Sequence, residues 1–528
     1  MTDLQPWTSD RPDVGPAAVP MPEFLLEHAS RFGDKPALVD GPTGRALSYR
    51  QLADGVERVA AALAARGFGK GDVLALSSPN LPEYALALYG AMAAGGAVTG
   101  ASPLLTAGEL AGQLADAGAS VLVTVPPFLE TARAAADKAG VTEVLVFGEA
   151  EGATPFASLL TAGGTRATVQ IDPANDLAAL PYSSGTTGLP KGVELTHANV
   201  VAQARQVLPV LGLTAADVVV GVAPFFHAIG QNLILPSSLR VGATVVTMPR
   251  FDLAGFLGLI QDHRATCTIV VPPIMLALAG HPMVDAYDLS SLRFLGCGAA
   301  PLGAEVEQRC ADRLGCVVAQ GFGMTEGTAA FAIAPPEGPR RGSAGRLLGG
   351  TQARIVDPGG GDLGPGRTGE LWLRGPQVMR GYRNHPEATA RTITPDGWLR
   401  TGDLCYLDAD GYLFVVDRLK ELIKYKGAQV APAELEQLLC AHPAVADAVV
   451  VPRPDLEAGE LPVAYVALRA ETTAAELQAW VAERVAPFKR LHDVRPVDQV
   501  PRSPTGKLLR RTLVEAERAG ARPAPAVL

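Results

Sequence analysis

The stretch Ser183-Ser184-Gly185-Thr186-Thr187-Gly188-Leu189-Pro190-Lys191-Gly192 sets three glycines, four hydroxyls and a lysine between two apolar runs, Leu177–Tyr182 and Val193–Leu195. Glycine lets a backbone approach an anion closely and turn its N–H groups toward it, hydroxyls donate hydrogen bonds, and lysine adds a mobile positive charge. The apolar flanks read as buried strands, so the loop is expected at a strand end, as a cradle for phosphate. A flexible Gly/Ser/Thr linker is the bland alternative, but a linker has no use for buried flanks. Nor is this the common P-loop. Gly192 follows Lys191 where Gly-x-x-x-x-Gly-Lys-Ser/Thr has the hydroxyl that holds Mg²⁺.

At 528 residues the chain exceeds what one core accommodates, so at least two domains are expected. With 48% hydrophobic and 19% charged residues it has the composition of a globular enzyme, and a net charge of −9 argues against a broad nucleic-acid surface. From Asp417 onward 16 Lys+Arg and 15 Asp+Glu give +1, which leaves −10 for the preceding body. A boundary is expected there, dividing 1–416 from 417–528. Cys267, Cys297, Cys310, Cys316, Cys405 and Cys440 form no Cys-x-x-Cys pair and have no histidine at metal-ligand spacing, and they read as reduced thiols of a cytoplasmic protein. Met1–Pro20 lacks a basic start followed by an apolar core, so no secretory signal is expected. Tyr84–Gly108 carries no Asp, Glu, Lys or Arg and is long enough to suggest a membrane span. Its Ala- and Gly-rich composition, divided by Gly95-Gly96, reads instead as buried helix and strand.

The order of elements indicates the fold class. A helix is expected from about Pro22 to Arg31, and Ser48-x-x-Gln51 is a capping box before Leu52, Val56, Val59, Ala60 and Leu63 at helical spacing, closed by Gly67. Val73–Ser77 reads as a strand, Pro82–Ala94 as a helix, Ala97–Gly100 as a strand, Ala107–Ala117 as a helix and Ser120–Val125 as a strand. After the loop come a helix at Thr196–Leu208, strands near Val218–Ala223 and Thr244–Met248, and a helix at Asp252–His263. Strands Cys267–Val271 and Phe294–Gly296 and a helix Gly303–Leu314 follow. Such alternation implies an α/β chain with two doubly wound sheets before residue 330. Thr351–Val356 and Gly369–Arg374, separated by the glycine-rich turn Pro358–Gly366, suggest a small β-subdomain, and Gly411–Val416 is a further strand that Asp417-Arg418-Leu419-Lys420 ends. Beyond it, Pro432–Ala441, Ala446–Val451, Pro462–Leu468 and a helix capped by Thr473-x-x-Glu476 make a small α+β C-terminal domain.

Five motifs then carry a resemblance. Ser183–Val193, Gln320-Gly321-Phe322-Gly323-Met324-Thr325-Glu326, Thr401-Gly402-Asp403-Leu404, the run Val416–Gly427 and the run Pro501–Arg510 stand in the order and spacing of the ATP-dependent acyl-adenylate-forming (ANL) enzymes. Within that superfamily the chain resembles the acyl-CoA synthetases of the 4-coumarate–CoA ligase and firefly-luciferase branch, from about residue 20 to 515.

The resemblance implies an AMP-forming ligase that uses ATP, Mg²⁺ and coenzyme A as co-substrate. It implies that Ser183, Ser184, Gly185, Thr186, Thr187, Gly188 and Lys191 hold the β- and γ-phosphates. Gly298, Ala299 and Ala300 with Gln320, Gly321, Phe322, Gly323 and Met324 would form the AMP site, Phe322 stacking on adenine where the family usually has tyrosine. Thr325 would meet the α-phosphate and acyl carboxylate, and Glu326 would hold Mg²⁺, a hard cation suited to carboxylate oxygen. Asp403, with Arg418, would bind the ribose hydroxyls. The C-terminal domain would be mobile about a hinge at Lys420, placing Lys507 in the site for adenylation and then the Lys424–Gly427 face, with Lys424 catalytic, for thioester formation. Phe226, His227, Ile229, Gly298, Gly323, Ala329 and Ala330 would line the acyl pocket.

Each role has a bland counterpart. Asp403 could cap a turn, Glu326 could be a solvated helix-start carboxylate, Lys507 one more charge in a basic tail, and His227 a satisfied core histidine. The motif order favours the functional readings, with His227 gating or lining the pocket. Two departures bear on the thiol step. Lys426-Gly427-Ala428-Gln429 lacks the family's aromatic residue, and Leu404-Cys405 follows Asp403 where a glycine is usual at the second position. An adenylating enzyme that hands its acyl group to a carrier protein or partner enzyme therefore stands beside a CoA ligase. A non-catalytic nucleotide-binding protein is a third reading, against which the intact Glu326 and Lys507 count. Ile229, where the 4-coumarate branch commonly has a tyrosine that meets the phenol, and the small residues Gly327–Ala330 and Gly296–Ala300 imply a bulky, mainly apolar acid. The expected partner is a small carboxylic acid, with no nucleic acid and no membrane span, in a monomer or homodimer.

Overall fold

Alternation along short strands decides how the first sheet is covered. Leu74, Leu76, Val98, Val121 and Val123 pack with Val56, Val59, Leu86 and Tyr89 of the helices Tyr49–Ala65 and Pro82–Ala93. Val73, Ala75, Ala97 and Leu122 point the other way, onto Leu110, Leu114, Ala132 and Ala136 of the helices Ala107–Ala117 and Leu129–Ala139. The computed structural model describes residues 5–15, 17–161, 169–183, 190–426, 428–503 and 506–518. In it this sheet has nine strands, parallel at its centre through Ala97–Ala101, Val73–Ser77, Ala119–Thr124 and Glu143–Val146. At one edge Lys191–Thr196 and Tyr182–Ser183 run antiparallel, and Gly381–Tyr382 adds to the former with Val193 opposite Tyr382.

The second sheet also has nine strands. Val317–Phe322, Phe294–Cys297, Cys267–Val270, Val218–Gly221, Thr244–Thr247 and Pro36–Asp40 are its parallel body. Val220, Val270, Leu295 and Val318 pack on helices Leu253–Asp262, Pro272–Gly280 and Ala304–Leu314. Val219, Cys267, Phe294 and Ala319 face the helix His197–Leu211 and a π-helical turn at Ile229–Ile234. An antiparallel five-stranded sheet, Trp7–Thr8, Gln352–Val356, Gly369–Arg374, Leu399–Leu407 and Leu413–Arg418, forms the β-subdomain. The C-terminal domain has its own sheet, in which Ile423–Tyr425, Gly459–Leu468 and Val445–Asp455 carry Ala428–Val430 and Asp493–Val497.

Several boundaries differ from the sequence expectation, two of them with a local cause. The first helix divides into Met21–Leu26 and Ala29–Phe32, because His28 leaves helical dihedrals at φ −110° and ψ 5°. The strand expected at Gly411–Val416 runs instead from Leu413 to Arg418. Its last two charges extend it: Arg418 pairs in register with Asp403, and Asp417 accepts the Ala433 N–H at 2.9 Å where the helix Pro432–Ala441 begins. Tyr84–Ala101 is buried helix and strand, Ser102–Thr106 is a partly exposed loop, and among the described residues no helix is long and apolar enough to cross a membrane.

The small domain seats on the large one where Gln437 lies against Gly303 and Arg469 against Gly280. Within the large domain the helices Tyr49–Ala65 and Pro82–Ala93 approach so closely that a Cβ on Gly90 would overlap Val59, whose branched side chain is stiff. Gly90→Ala is expected to destabilise the large domain by about 1–3 kcal/mol, read as a lower melting temperature. An unchanged midpoint would mean that Val59 yields freely.

Candidate active site

The carboxyl ends of Phe294–Cys297 and Val317–Phe322 open into a cleft of about 470 Å³ between the second sheet, the β-subdomain and the small domain. Open α/β sheets present their ligands at this end. The deep branch of the cleft is apolar, formed by Leu211, Ile229, Leu233, Ile269, Phe294, Ala319, Ala329, Ala330 and Ile333. Strand alternation accounts for it: Ile269, Phe294 and Ala319 lie on the sheet face opposite the helices that bury Val270, Leu295 and Val318. The mouth is polar, with Ser183, Lys191, Thr325, Glu326, Tyr382, Arg391, Arg400, Arg418, Lys420 and Lys507.

Most residues singled out in the sequence meet here. His227, Ile229, Gly298, Ala299, Gln320, Gly321, Phe322, Gly323, Met324, Thr325, Glu326, Ala329 and Ala330 all line the cleft. The Gln320 side chain is spent on Leu302 and on Glu307, at 2.8–3.0 Å. Phe226, Ala300 and Asp403 stand outside the lining, Phe226 with its backbone closing over Gly100 and Asp403 only 4% exposed behind Arg418. Lys424 is exposed on the strand Ile423–Tyr425, its N–H bonded to Glu460, away from the cleft. Ser184, Gly185, Thr186, Thr187, Gly188 and Gly427 lie outside the described residues.

The wall of the deep branch is held from behind. Thr328 adopts a left-handed backbone at φ 67°, which a threonine keeps only where its surroundings impose it. Asn232 donates to the Thr328 carbonyl at 3.0 Å, Gln203 accepts the Ala330 N–H at 2.6 Å, and the Thr328 hydroxyl donates to the Gln377 carbonyl at 2.7 Å. Two of these amides come from the helix His197–Leu211 and the π-helical turn, which widens the backbone spiral beside the pocket.

At the mouth, Glu326 is 5% exposed and its Oε1 accepts the Ser183 hydroxyl and the Tyr382 hydroxyl, each at 2.8 Å. The Lys191 ammonium lies 5.6 Å from the Tyr382 ring centroid. Tyr382 went unrecognised in the sequence, because its place depends on a two-residue strand paired across 189 positions. Arg418 Nε donates to Asp403 Oδ1 at 3.1 Å. Lys507 is carried on a turn braced at both ends. Arg502 binds Asp447 through two bonds of 2.8 Å and donates to the Gly506 carbonyl, while Arg510 binds Glu421 at 2.8 Å and Glu436 at 2.7 Å.

Burial, then Arg418, hold the Lys507 ammonium below its ordinary value, and Glu326 and Asp403 oppose them. Lys420 is lowered by the same two causes. Burial, with Lys507 nearby, pushes His227 down to about 3, so its imidazole is neutral near pH 7. Burial raises Asp403 to about 6 against Arg418.

The AMP-binding enzyme family matches residues 25–383, and the AMP-binding enzyme C-terminal domain matches 434–507. The chain is 43% identical to 4-coumarate–CoA ligase 5 of Oryza sativa subsp. japonica, over 95% of each chain. It is 42% identical to 4-coumarate–CoA ligase of Pinus taeda, over 94% of each. Among solved structures it superimposes on the anthranilate CoA ligase AuaEII in complex with anthranoyl-AMP with a TM-score of 0.89 at 27% identity, covering 96% of this chain and 98% of that one.

Asp403 carries its charge above about pH 6 and loses it as pH falls through that value. Since folding raises it from 3.8, the fold itself loses stability as pH rises from 3.8 to about 6. Affinity for adenosine, which carries the ribose but no phosphate that titrates in this range, is expected by titration calorimetry to decline as pH falls through about 6 in the parent protein and to stay flat in Asp403→Asn. A flat profile in the parent would remove Asp403 from the nucleotide site.

Proposed function

Because this chain belongs to the AMP-binding enzyme family, in the 4-coumarate–CoA ligase-like branch of the acyl-adenylate-forming superfamily, and is an AMP-forming acid–thiol ligase using ATP, Mg²⁺ and coenzyme A, we propose that its acid is bulky and mainly apolar. The deep branch carries this reading. Leu211, Ile229, Leu233, Ile269, Phe294, Ala329, Ala330 and Ile333 offer no side-chain hydrogen bond. A phenol buried there would be left unpaired at a cost of about 1–3 kcal/mol, whereas an unsubstituted aryl, polycyclic or medium-chain acyl group would meet only apolar surface.

The chemistry follows from what each group can do. A carboxylate is a poor electrophile. Its attack on the α-phosphorus forms an acyl–phosphate bond and expels pyrophosphate, and a thiolate then forms the thioester and releases AMP. Negative charge gathers on the phosphate oxygens in the first step, where Lys507, Lys191 and Thr325 face the same cleft. Phe322 would stack on adenine, and Asp403 with Arg418 would hold the ribose. Glu326 suits a divalent cation: it receives two neutral hydroxyls and forms no ion pair among the described residues, so its charge is left for a metal. When bound, Mg²⁺ neutralises phosphate oxygens.

We read residues 417–528 as a body that turns about Lys420, withdrawing Lys507 and presenting Lys424 for thioester formation. Lys507 in the cleft and Lys424 exposed outside it suit the adenylation stage. Six free cysteines are compatible with the reducing cytoplasm.

Lys507→Ala is expected to slow adenylate formation from acid and ATP by about 100- to 1000-fold, while sparing thioester formation from supplied acyl-adenylate. Equal loss of both steps would contradict a lysine that serves only one of them. For the acid, CoA-dependent AMP release across a panel should give kcat/KM for a large apolar acid well above that for acetate and not below that for 4-coumarate. Ala329→Trp or Ala330→Trp should penalise the large acid most, by about tenfold or more. A preference for acetate, or indifference to both tryptophans, would overturn the pocket assignment.

A further inference from the structure

Glu326 takes its two hydroxyl bonds from different strands, and both strands are tied to one carboxylate outside the cleft. Asp116 stands near the end of the helix Ala107–Ala117. Its Oδ2 accepts the Tyr182 hydroxyl at 2.6 Å, while its Oδ1 and its carbonyl oxygen accept Asn384 Nδ2 at 3.1 and 3.0 Å. Tyr182 immediately precedes Ser183, and Asn384 stands two residues after Tyr382. Ser183 and Tyr382 are the two donors to Glu326 Oε1. The contacts close a circuit: Asp116, Tyr182-Ser183, Glu326, Tyr382-Arg383-Asn384, and Asp116 again.

We infer that Asp116 is a positioning residue that sets the aim of the Glu326 carboxylate through Ser183 and Tyr382. Consecutive residues of an extended strand point to opposite faces, so fixing the Tyr182 hydroxyl from behind fixes the direction of Ser183 in front. On the other side, the strand Gly381–Tyr382 is only two residues long, too short to orient Tyr382 by pairing alone. The turn after it depends on Asn384, whose left-handed backbone at φ 57° is held by the two bonds to Asp116. Asp116 reaches both donors at once, and no other side chain among the described residues bonds to both Tyr182 and Asn384. A carboxylate that is to hold a cation needs its free lone pairs aimed, and that aim is set by what bonds to the rest of it.

The inference rests on Glu326 as the Mg²⁺ carboxylate, and the test separates the two. Binding of Mn²⁺ to the protein with a non-cleavable ATP analogue, followed by electron paramagnetic resonance, is compared in the parent, Asp116→Ala, Asp116→Asn, Tyr182→Phe and Glu326→Gln. Asp116→Ala and Tyr182→Phe are each expected to weaken Mn²⁺ about tenfold while leaving thioester formation from supplied acyl-adenylate intact. Asp116→Asn keeps a partner for both Tyr182 and Asn384 and should bind Mn²⁺ like the parent. If Asp116→Ala does not fold, Tyr182→Phe decides. Weakened binding in Glu326→Gln with parental binding in Asp116→Ala and Tyr182→Phe overturns the role of Asp116 alone, as does Asp116→Asn falling as far as Asp116→Ala. Parental binding in Glu326→Gln overturns the reading of Glu326 and this inference with it.

Discussion

Charge kept out of water governs this molecule. Lys507, Lys420, Arg418 and Lys191 gather around one cleft, and burial together with the nearby Arg418 holds both Lys507 and Lys420 below the ordinary lysine range. Glu326 and Asp403 oppose the lowering of Lys507, and Glu421 and Asp403 that of Lys420, but Asp403 and Glu421 are already committed to Arg418 and Arg510. Partly desolvated cations with too few counter-charges destabilise the arrangement that contains them. A polyphosphate supplies the missing charge, and its departure as pyrophosphate removes it again. In the proposed cycle the small domain, which carries Lys507 into the cleft, would be attracted while the triphosphate is present and repelled once it is cleaved. The domain exchange proposed above would then need no separate trigger, because the chemistry would change the electrostatics that hold the domain in place.

The apolar branch obeys a different constraint, that of backbone geometry. Its volume exists because Ala319, Ala329 and Ala330 are small and because the segment Thr328–Ala330 is held back by Gln203 and Asn232. On the proposed reading, specificity would be divided between the residues that line the branch and buried amides that do not. A change at Gln203 would alter the pocket without altering any lining side chain.

Much of this organisation was legible in the sequence, for identifiable reasons. The capping boxes at Ser48 and Thr473 form as read, because they need only local contacts. The alternating strands and helices up to Leu314 hold for the same reason, with ends displaced by a few residues. An Ala- and Gly-rich composition broken at Gly95-Gly96 also distinguished the buried core Tyr84–Ala101 from a membrane span. What remained hidden depends on distant pairing. Pro36–Asp40 joins the second sheet beside Thr244–Thr247, and no local pattern announces that partner. Tyr382, Asp116, Leu211 and Leu233 reach the site or its support only through the fold. The charges Asp417 and Arg418, taken as a strand terminator, continue the strand because each finds a partner there. Of the stretch read as a phosphate cradle, Ser183 and Lys191 line the cleft.

The bracing of Lys507 has a mechanical corollary. With Arg502 locked to Asp447 and Arg510 locked to Glu421 and Glu436, the turn that bears the lysine is fastened to the sheet and helix of its own domain and to the segment just beyond Lys420. On the proposed hinge at Lys420 it would be the tip of a lever whose fulcrum stands a single residue from one of its fastenings. In that reading the accuracy with which the ammonium meets the phosphate would be set far from the phosphate, by how Gln437 and Arg469 seat against Gly303 and Gly280. A transplanted small domain would bring its lysine correctly shaped, and the match of that remote seat would decide whether it arrives in the right place.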